Sequence, residues 1–160
     1  MSAILCTMAL LVVANGAPVV ASLLLGERCA APIDGGRCLA DGRPLFGTSK
    51  TWRGLVAAVL VCAVGGALLG MGWGVGALFG LLSMLGDLLA SFSKRRLGIP
   101  PSGRARFLDQ LPEALLPLAV LREALGLDWP GVLLATAGFT LFEWLVSPWL
   151  YRLHIRQRPY

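Results

Sequence analysis

Five stretches of apolar side chains, at about 3–25, 54–71, 73–92, 111–127 and 130–150, decide what this chain can become. Each approaches the ~20 residues that an α-helix needs to cross a hydrocarbon core of about 30 Å. Inside a bilayer the backbone N–H and C=O groups must find partners within the protein, so such segments are read as helices. The first has no basic region ahead of it, which favours a retained span over a cleaved signal peptide. The second and third are separated by little more than Met71-Gly72 and predict a tight helical hairpin. The fourth is the least regular, because Pro112, Glu113, Pro117, Arg122 and Glu123 interrupt it.

Charged residues make up 14% of the 160-residue chain, against about 25% in soluble domains. With 56% apolar residues, 20 glycines and a mean hydropathy of +0.73, a soluble enzyme, a disordered chain and a secreted disulfide scaffold are excluded. The four cysteines, Cys6, Cys29, Cys38 and Cys62, have no C-x-x-C spacing, which argues against zinc or thiol-redox chemistry. The expected fold is a single all-α integral membrane domain over 1–160, with about five transmembrane helices. Gly66-x-x-x-Gly70 and Gly72-x-x-x-Gly76-x-x-x-Gly80 are expected to let helix backbones approach closely.

Basic residues orient it. Arg28, Arg37, Arg43, Lys50 and Arg53 lie in the first loop, and Lys94, Arg95, Arg96, Arg104 and Arg106 in the third. Arg152, Arg156 and Arg158 lie in the tail, so 13 of the 14 fall on one side and only Arg122 on the other. By the positive-inside rule that side is cytosolic, giving N-terminus out, C-terminus in and two long cytosolic loops at the cell membrane.

Carboxylates inside the spans are the sharpest functional signal, since charge in hydrocarbon is costly unless pairing or function compensates. Ser83, Asp87 and Ser91 recur on one helical face, with Lys94 about 10 Å farther along toward the basic side. A structural pair between Asp87 and an arginine is the plainer alternative. Glu143 makes a similar face with Thr136, Thr140 and Ser147, and a loop arginine is its plain partner. Asp41-Gly-Arg-Pro-Leu-Phe-Gly-Thr-Ser-Lys50-Thr-Trp-Arg-Gly54 brings glycines, hydroxyls and cations to a helix start, the ingredients of a phosphate cradle. It is no Walker A loop, because the lysine is displaced by two positions and no strand precedes it. A patch for anionic lipid is the alternative. The second loop joins Lys94-Arg-Arg96 to Asp109 and Glu113, and two carboxylates beside a polyphosphate are a usual setting for Mg²⁺.

Ala14-Asn15-Gly-Ala-Pro18, Pro32-Ile-Asp34 through Thr48-Ser-Lys-Thr-Trp-Arg-Gly54, Gly86-Asp-Leu-Leu-Ala-Ser-Phe-Ser-Lys-Arg-Arg96 and Leu108-Asp-Gln110, in this order, resemble the CDP-archaeol synthase family. The resemblance covers nearly the whole chain. It implies a cytidylyltransferase that joins CTP to a lipid phosphate, releases pyrophosphate and needs Mg²⁺. The family substrate is 2,3-bis-O-geranylgeranylglycerol 1-phosphate. By the same resemblance, Asp87, Lys94 and Asp109 are expected to be catalytic. Asn15, Lys50, Thr51, Arg53, Gly54, Arg95 and Arg96 would line the nucleotide and phosphate site. Asp87 and Asp109 would hold the metal, with Glu113 standing where family members often carry a second acid after the Asp-Gln pair. The 12 arginines against two lysines suit a GC-rich genome, which keeps ester-linked phosphatidate open as the lipid. The expected partners are CTP, the lipid phosphate and membrane lipids, with no nucleic acid; a homo-oligomer is compatible with the sequence. A non-catalytic scaffold or anionic-lipid-binding subunit is the alternative function, and a transporter comes third. A phosphate monoester needs no general base at neutral pH, so His154, the sole histidine, is expected to be dispensable.

Overall fold

The computed structural model describes the backbone of residues 3–100, 103 and 105–152, with side chains except at 106, 107 and 147–152. The expectations placed on Arg104, His154, Arg156 and Arg158, and on the side chains of Arg106, Ser147 and Arg152, lie outside the described residues. Five helices follow one another: α1 Ala3–Leu25, α2 Trp52–Leu68, α3 Trp73–Arg96, α4 Arg106–Val120 and α5 Trp129–Arg152. Among the described residues there is no strand, only bridges between Pro32 and Thr51 and between Cys38 and Pro44. α1, α3 and the Trp129–Val146 part of α5 are long and apolar enough to cross a membrane, while α2 is apolar but 17 residues long.

Two sequence expectations need correction. The fourth apolar segment, expected at 111–127, is a helix that starts at Arg106 and stops at Val120. Its 15 residues reach only about 22 Å. Leu121, Leu125 and Leu127 are apolar because they are buried in the turn that closes this end of the bundle, where Gly126 adopts φ 64°. The glycine repeat also divides. Gly66, Gly76 and Gly80 sit in the α2–α3 contact, where a Cβ on Gly80 would stand 2.7 Å from the Ala58 carbonyl oxygen. Gly70 and Gly72 instead make the turn at φ 77° and 88°, a backbone region that costs glycine little.

Packing is unequal along the bundle axis. Leu10, Leu11, Phe79, Leu118, Val132, Ala135 and Phe139 form a dry core. They come from the first halves of α1, α3 and α5 and the second half of α4, which share one end. The opposite end gathers the rest of these helices, the start of α2 and both long loops. On α1 burial stops at Ala17, and Pro18, which lacks an N–H, leaves the Ala14 carbonyl without its helical donor. α3 and α4 approach closely at Gly86, where a Cβ would stand 2.6 Å from the Cα of Glu113.

Candidate active site

The first long loop owes its shape to a buried aspartate. Asp34 accepts hydrogen bonds from the backbone N–H groups of Gly36, Phe46 and Gly47 at 2.9, 3.0 and 2.9 Å. Burial alone would raise the carboxyl's pKa, but these donors outweigh it and hold the group below the usual carboxylate value. Ile33 N–H donates to the Lys50 carbonyl at 2.8 Å, and Trp52 N–H to that of Ala31 at 3.1 Å. These bonds fix Lys50 at the entrance to α2 and direct its ammonium into the bundle. The loop is also strapped to the end of α3. Arg43 donates to the Arg96 carbonyl at 2.6 Å, while Arg96 donates to Asp41 at 2.7 Å and to the Pro44 carbonyl at 2.6 Å.

Beneath this loop lies a cavity of about 960 Å³. α1 supplies Asn15, Pro18, Val19, Ser22 and Leu23, and α3 supplies Met84 and Asp87. Glu113 of α4 and the segment 48–51 with Arg53 complete the polar side. Lys50 Nζ donates to both carboxylate oxygens of Asp87, at 2.7 and 2.6 Å. Both side chains remain partly open, 22% and 24% exposed, so they can exchange partners with a ligand. Asn15 donates to Glu113 at 2.7 Å, joining α1 to α4 at the floor. The cavity thus combines three carboxylates (Glu27, Asp87 and Glu113), a lysine, an arginine, the loop hydroxyls of Thr48, Ser49 and Thr51, and an apolar wall.

The structure brings some of the expected residues together and separates others. Asn15, Lys50, Thr51, Arg53, Asp87 and Glu113 line one cavity. Asp109 does not line it; it pairs with Lys94 and accepts from Ala105 N–H at the start of α4. The plain reading of Asp87 as the partner of an arginine is replaced by its pairing with Lys50. Thr51 is the N-cap of α2, its hydroxyl accepting from Gly54 N–H at 3.4 Å. Gly54 allows close packing, since a Cβ there would stand 3.1 Å from Cβ of Pro18, and it borders a smaller pocket with Lys50, Thr51 and Asp87. Arg53 spans to α1, donating to the carbonyls of Gly26 and Arg28 at 2.5 and 2.8 Å. Arg96 is likewise occupied by the loop strap and lies 5.3 Å over the Phe92 ring. Arg95 is 3% exposed, and its Nε and Nη1 have no hydrogen-bond partner among the described residues. Glu143 is buried on α5. Thr136 and Thr140 donate to carbonyls of their own helix, so the polar face of α5 is partly satisfied internally.

Sequence reasoning gave no role to Asp34, Arg43 or Glu27, the last being a carboxylate at the cavity mouth. Asp34-Gly35-Gly36 is a turn signature and could have been recognised as such. Arg43 and Glu27 carried no local signal, since their roles depend on what folds against them.

Comparison with known proteins gives concordant matches. The family model described as "CarS-like: CDP-archaeol synthase" matches residues 1–160. A CDP-archaeol synthase of Thermococcus onnurineus (strain NA1) is 36% identical over 149 residues, covering 86% of this chain and 79% of that protein. The CDP-archaeol synthase of Pyrococcus furiosus is 32% identical over 157 residues, covering 92% and 90%. A solved structure of an intramembrane enzyme for archaeal membrane lipids biosynthesis shares the fold with a TM-score of 0.73. It is 35% identical, and the match covers 89% of this chain and 90% of that one.

Proposed function

The chain belongs to the CDP-archaeol synthase family and is a membrane-embedded cytidylyltransferase, and from that premise we propose that its cavity joins CTP to an isoprenoid-ether lipid phosphate. The observation that carries this reading is the cavity itself: Lys50, Arg53, Asp87 and Glu113 share it with the apolar residues Pro18, Val19, Leu23 and Met84. A polyphosphate and a lipid both find matching chemistry there. The relatives named above support an archaeal lipid phosphate over phosphatidate. The basic end carries both long loops, and we place it in the cytoplasm, where CTP is made.

A divalent metal is general for cytidylyl transfer of this kind, and Mg²⁺ is our assignment. It takes oxygen ligands, keeps waters, and is commonly bound by one or two carboxylates together with substrate phosphates. Asp87 and Glu113 meet that requirement, because both open into the cavity. Among the described residues no group of three or more His, Cys, Asp or Glu forms a closed metal cage. Asp109, expected beside Asp87 as a ligand, already pairs with Lys94, so we assign the pair a positioning role at the start of α4. When bound, Mg²⁺ supplies charge neutralisation for the triphosphate.

The lipid phosphate is largely dianionic at neutral pH, since such monoesters have a second pKa near ~6. Its oxygen forms a bond to the α-phosphorus of CTP as the bond to the β-phosphate oxygen breaks, and pyrophosphate leaves. No proton has to be taken by the protein. Its task is to offset repulsion between two anions and to stabilise charge developing on pyrophosphate. Lys50 sits at the carboxylates, where it can meet the anions first. Arg95, expected in the same site, keeps two guanidinium nitrogens without a partner among the described residues but is not among the residues that line the cavity.

The test is to incubate purified protein with CTP, Mg²⁺ and a panel of lipid phosphates and to measure pyrophosphate. Mg²⁺-dependent release with the isoprenoid substrate is expected. Lipid binding that is salt-sensitive, without turnover or nucleotide preference, would overturn the reading in favour of a scaffold.

A further inference from the structure

We propose that Glu27 reads the base of the nucleotide: at the cavity mouth its carboxylate accepts from the exocyclic amine of cytosine and so selects CTP over UTP. This rests on the function proposed above and adds to it a specificity determinant. Glu27 follows the end of α1, in a turn where Gly26 N–H donates to the Ser22 carbonyl at 3.0 Å and Arg28 N–H to that of Leu25 at 2.9 Å. Arg53 donates in turn to the carbonyls of Gly26 and Arg28, the residues on either side. The backbone is thus held on both flanks of Glu27, which fixes where its side chain can reach. The segment that follows runs beside the entrance to α2, through the Pro32–Thr51 bridge and the bond from Trp52 N–H to the Ala31 carbonyl. Glu27, Thr48 and Ser49 consequently line one cavity.

A carboxylate is out of place beside a polyanion unless a donor meets it. Asp87 has Lys50, and Glu113 has Asn15. Glu27 takes part in none of the ion pairs among the described residues, although it borders the cavity. A phosphate placed beside it would set two anions together, so a triphosphate held at Lys50 turns its nucleoside end toward the mouth. From Asn15, level with the carboxylates, to the end of α1 at Leu25 is about 15 Å of helix. That depth gives a nucleoside room above its phosphates.

An ionised carboxylate only accepts hydrogen bonds, whereas a hydroxyl donates and accepts. Glu27 therefore discriminates where Thr48 and Ser49 cannot. Cytosine offers its N4 amine to an acceptor, and a glutamate accepting from that amine is a recurrent pairing. Uracil carries a carbonyl oxygen at the same place, which would face the carboxylate with no proton between them. The hydroxyls of Thr48 and Ser49 suit the remaining N3 and O2 acceptors of cytosine by donating. The ribose hydroxyls are the competing donors for Glu27. They are common to CTP and UTP, so a contact to them would give no preference between the bases.

Glu27→Gln keeps the size of the side chain and replaces an acceptor-only group with one that can also donate. Glu123→Gln, on a side chain that is 88% exposed and remote from the cavity, is the control. Equilibrium binding of CTP, UTP and 2′-deoxy-CTP to the purified protein is measured with Mg²⁺ present. Glu27→Gln should cut the preference for CTP over UTP by about 10- to 100-fold, the range for a hydrogen bond to a charged group. Its ratio of CTP to 2′-deoxy-CTP should stay at the value of the unaltered protein, as should every ratio of Glu123→Gln. Glu27→Asp keeps the charge but withdraws it, and should weaken CTP without improving UTP. Equal binding of CTP and UTP by the unaltered protein, or an unchanged ratio in Glu27→Gln, would overturn the proposal. A change confined to the 2′-deoxy ratio would overturn it too, by assigning Glu27 to the ribose. Binding needs no turnover, so a preference for CTP that depends on Glu27, in a protein that releases no pyrophosphate, would uphold the base reader and remove the proposed reaction.

Discussion

Replacing Gly86 by alanine perturbs the contact between α3 and α4 beside the candidate active site. Gly86 directly precedes Asp87, and a Cβ there would collide with the Pro112 carbonyl oxygen and stand 2.6 Å from the Cα of Glu113. Carbon atoms settle at about 3.5–4.0 Å, so α4 has to retreat by about 1 Å. Overfilling of this kind costs about 1–3 kcal/mol. The same retreat carries Glu113 away from Asp87, and a misplacement of about 1 Å costs about 10²-fold in rate. Gly76→Ala is the matched control. Its Cβ would likewise collide with a backbone carbonyl oxygen, that of Cys62, in the α2–α3 contact. Thermal unfolding in detergent and pyrophosphate release are measured for both. Both variants should lose stability to a similar degree, and only Gly86→Ala should lose about two orders of magnitude in turnover. Equal losses of activity, or full activity in Gly86→Ala, would refute the argument that α4 must sit this close for the carboxylates to cooperate.

Asp87→Asn should abolish turnover while gel filtration still reports a folded protein; joint loss of fold and activity would return Asp87 to a purely structural role. Asp34→Asn removes a charged acceptor shared by three N–H groups and should destabilise the first loop by about 2 kcal/mol, read as faster hydrogen exchange at Gly36, Phe46 and Gly47. Because the folded pKa of Asp34 lies below the unfolded one, its contribution is present above the unfolded value of about 3.9. It is lost as pH falls through the folded value, so loop protection should be flat at neutral pH and fail only in acid. Cys29 and Cys38 are exposed and free while Cys6 and Cys62 are buried; an impermeant thiol reagent should label two cysteines in inside-out vesicles and none in intact cells. His154→Ala should keep most of its activity, whereas chelating Mg²⁺ should stop the reaction.

The helices were legible in the sequence because bilayer length and hydropathy leave few other solutions. Helix ends were less so, since Leu125 and Leu127 look the same in sequence whether they extend a span or plug the end of a bundle. The chemistry of Lys50, Asp87 and Glu113 could be read from residue type: an acid within an apolar run, and a lysine in a glycine-rich loop. Their partners could not. Lys50 meets Asp87 across 37 positions and Asn15 meets Glu113 across 98, and such pairings depend on how helices stack. Arg96 and Arg53 were expected at phosphate because arginines in basic loops suit anions. Asp41 and the loop carbonyls of Arg43 and Pro44 engage Arg96, and the carbonyls of Gly26 and Arg28 engage Arg53, which still lines the cavity; a rigid guanidinium fork satisfies several such acceptors at once.

The division of the bundle into a dry half and a cavity-bearing half has an electrical consequence. A cavity open at its mouth carries the potential of the compartment it faces down toward its floor at Asn15 and Glu113. The membrane voltage then drops mainly across the dry packing around Phe79, Leu118 and Phe139. Moving one elementary charge through the full drop is worth about 2.3 kcal/mol per 100 mV. A nucleotide that descends only to the floor crosses little of that drop, although it travels well into the hydrocarbon thickness. Charge-rich chemistry can therefore proceed inside an energised membrane with its rate nearly independent of voltage, and the dry core that Leu121, Leu125 and Leu127 complete is the insulator that makes this so.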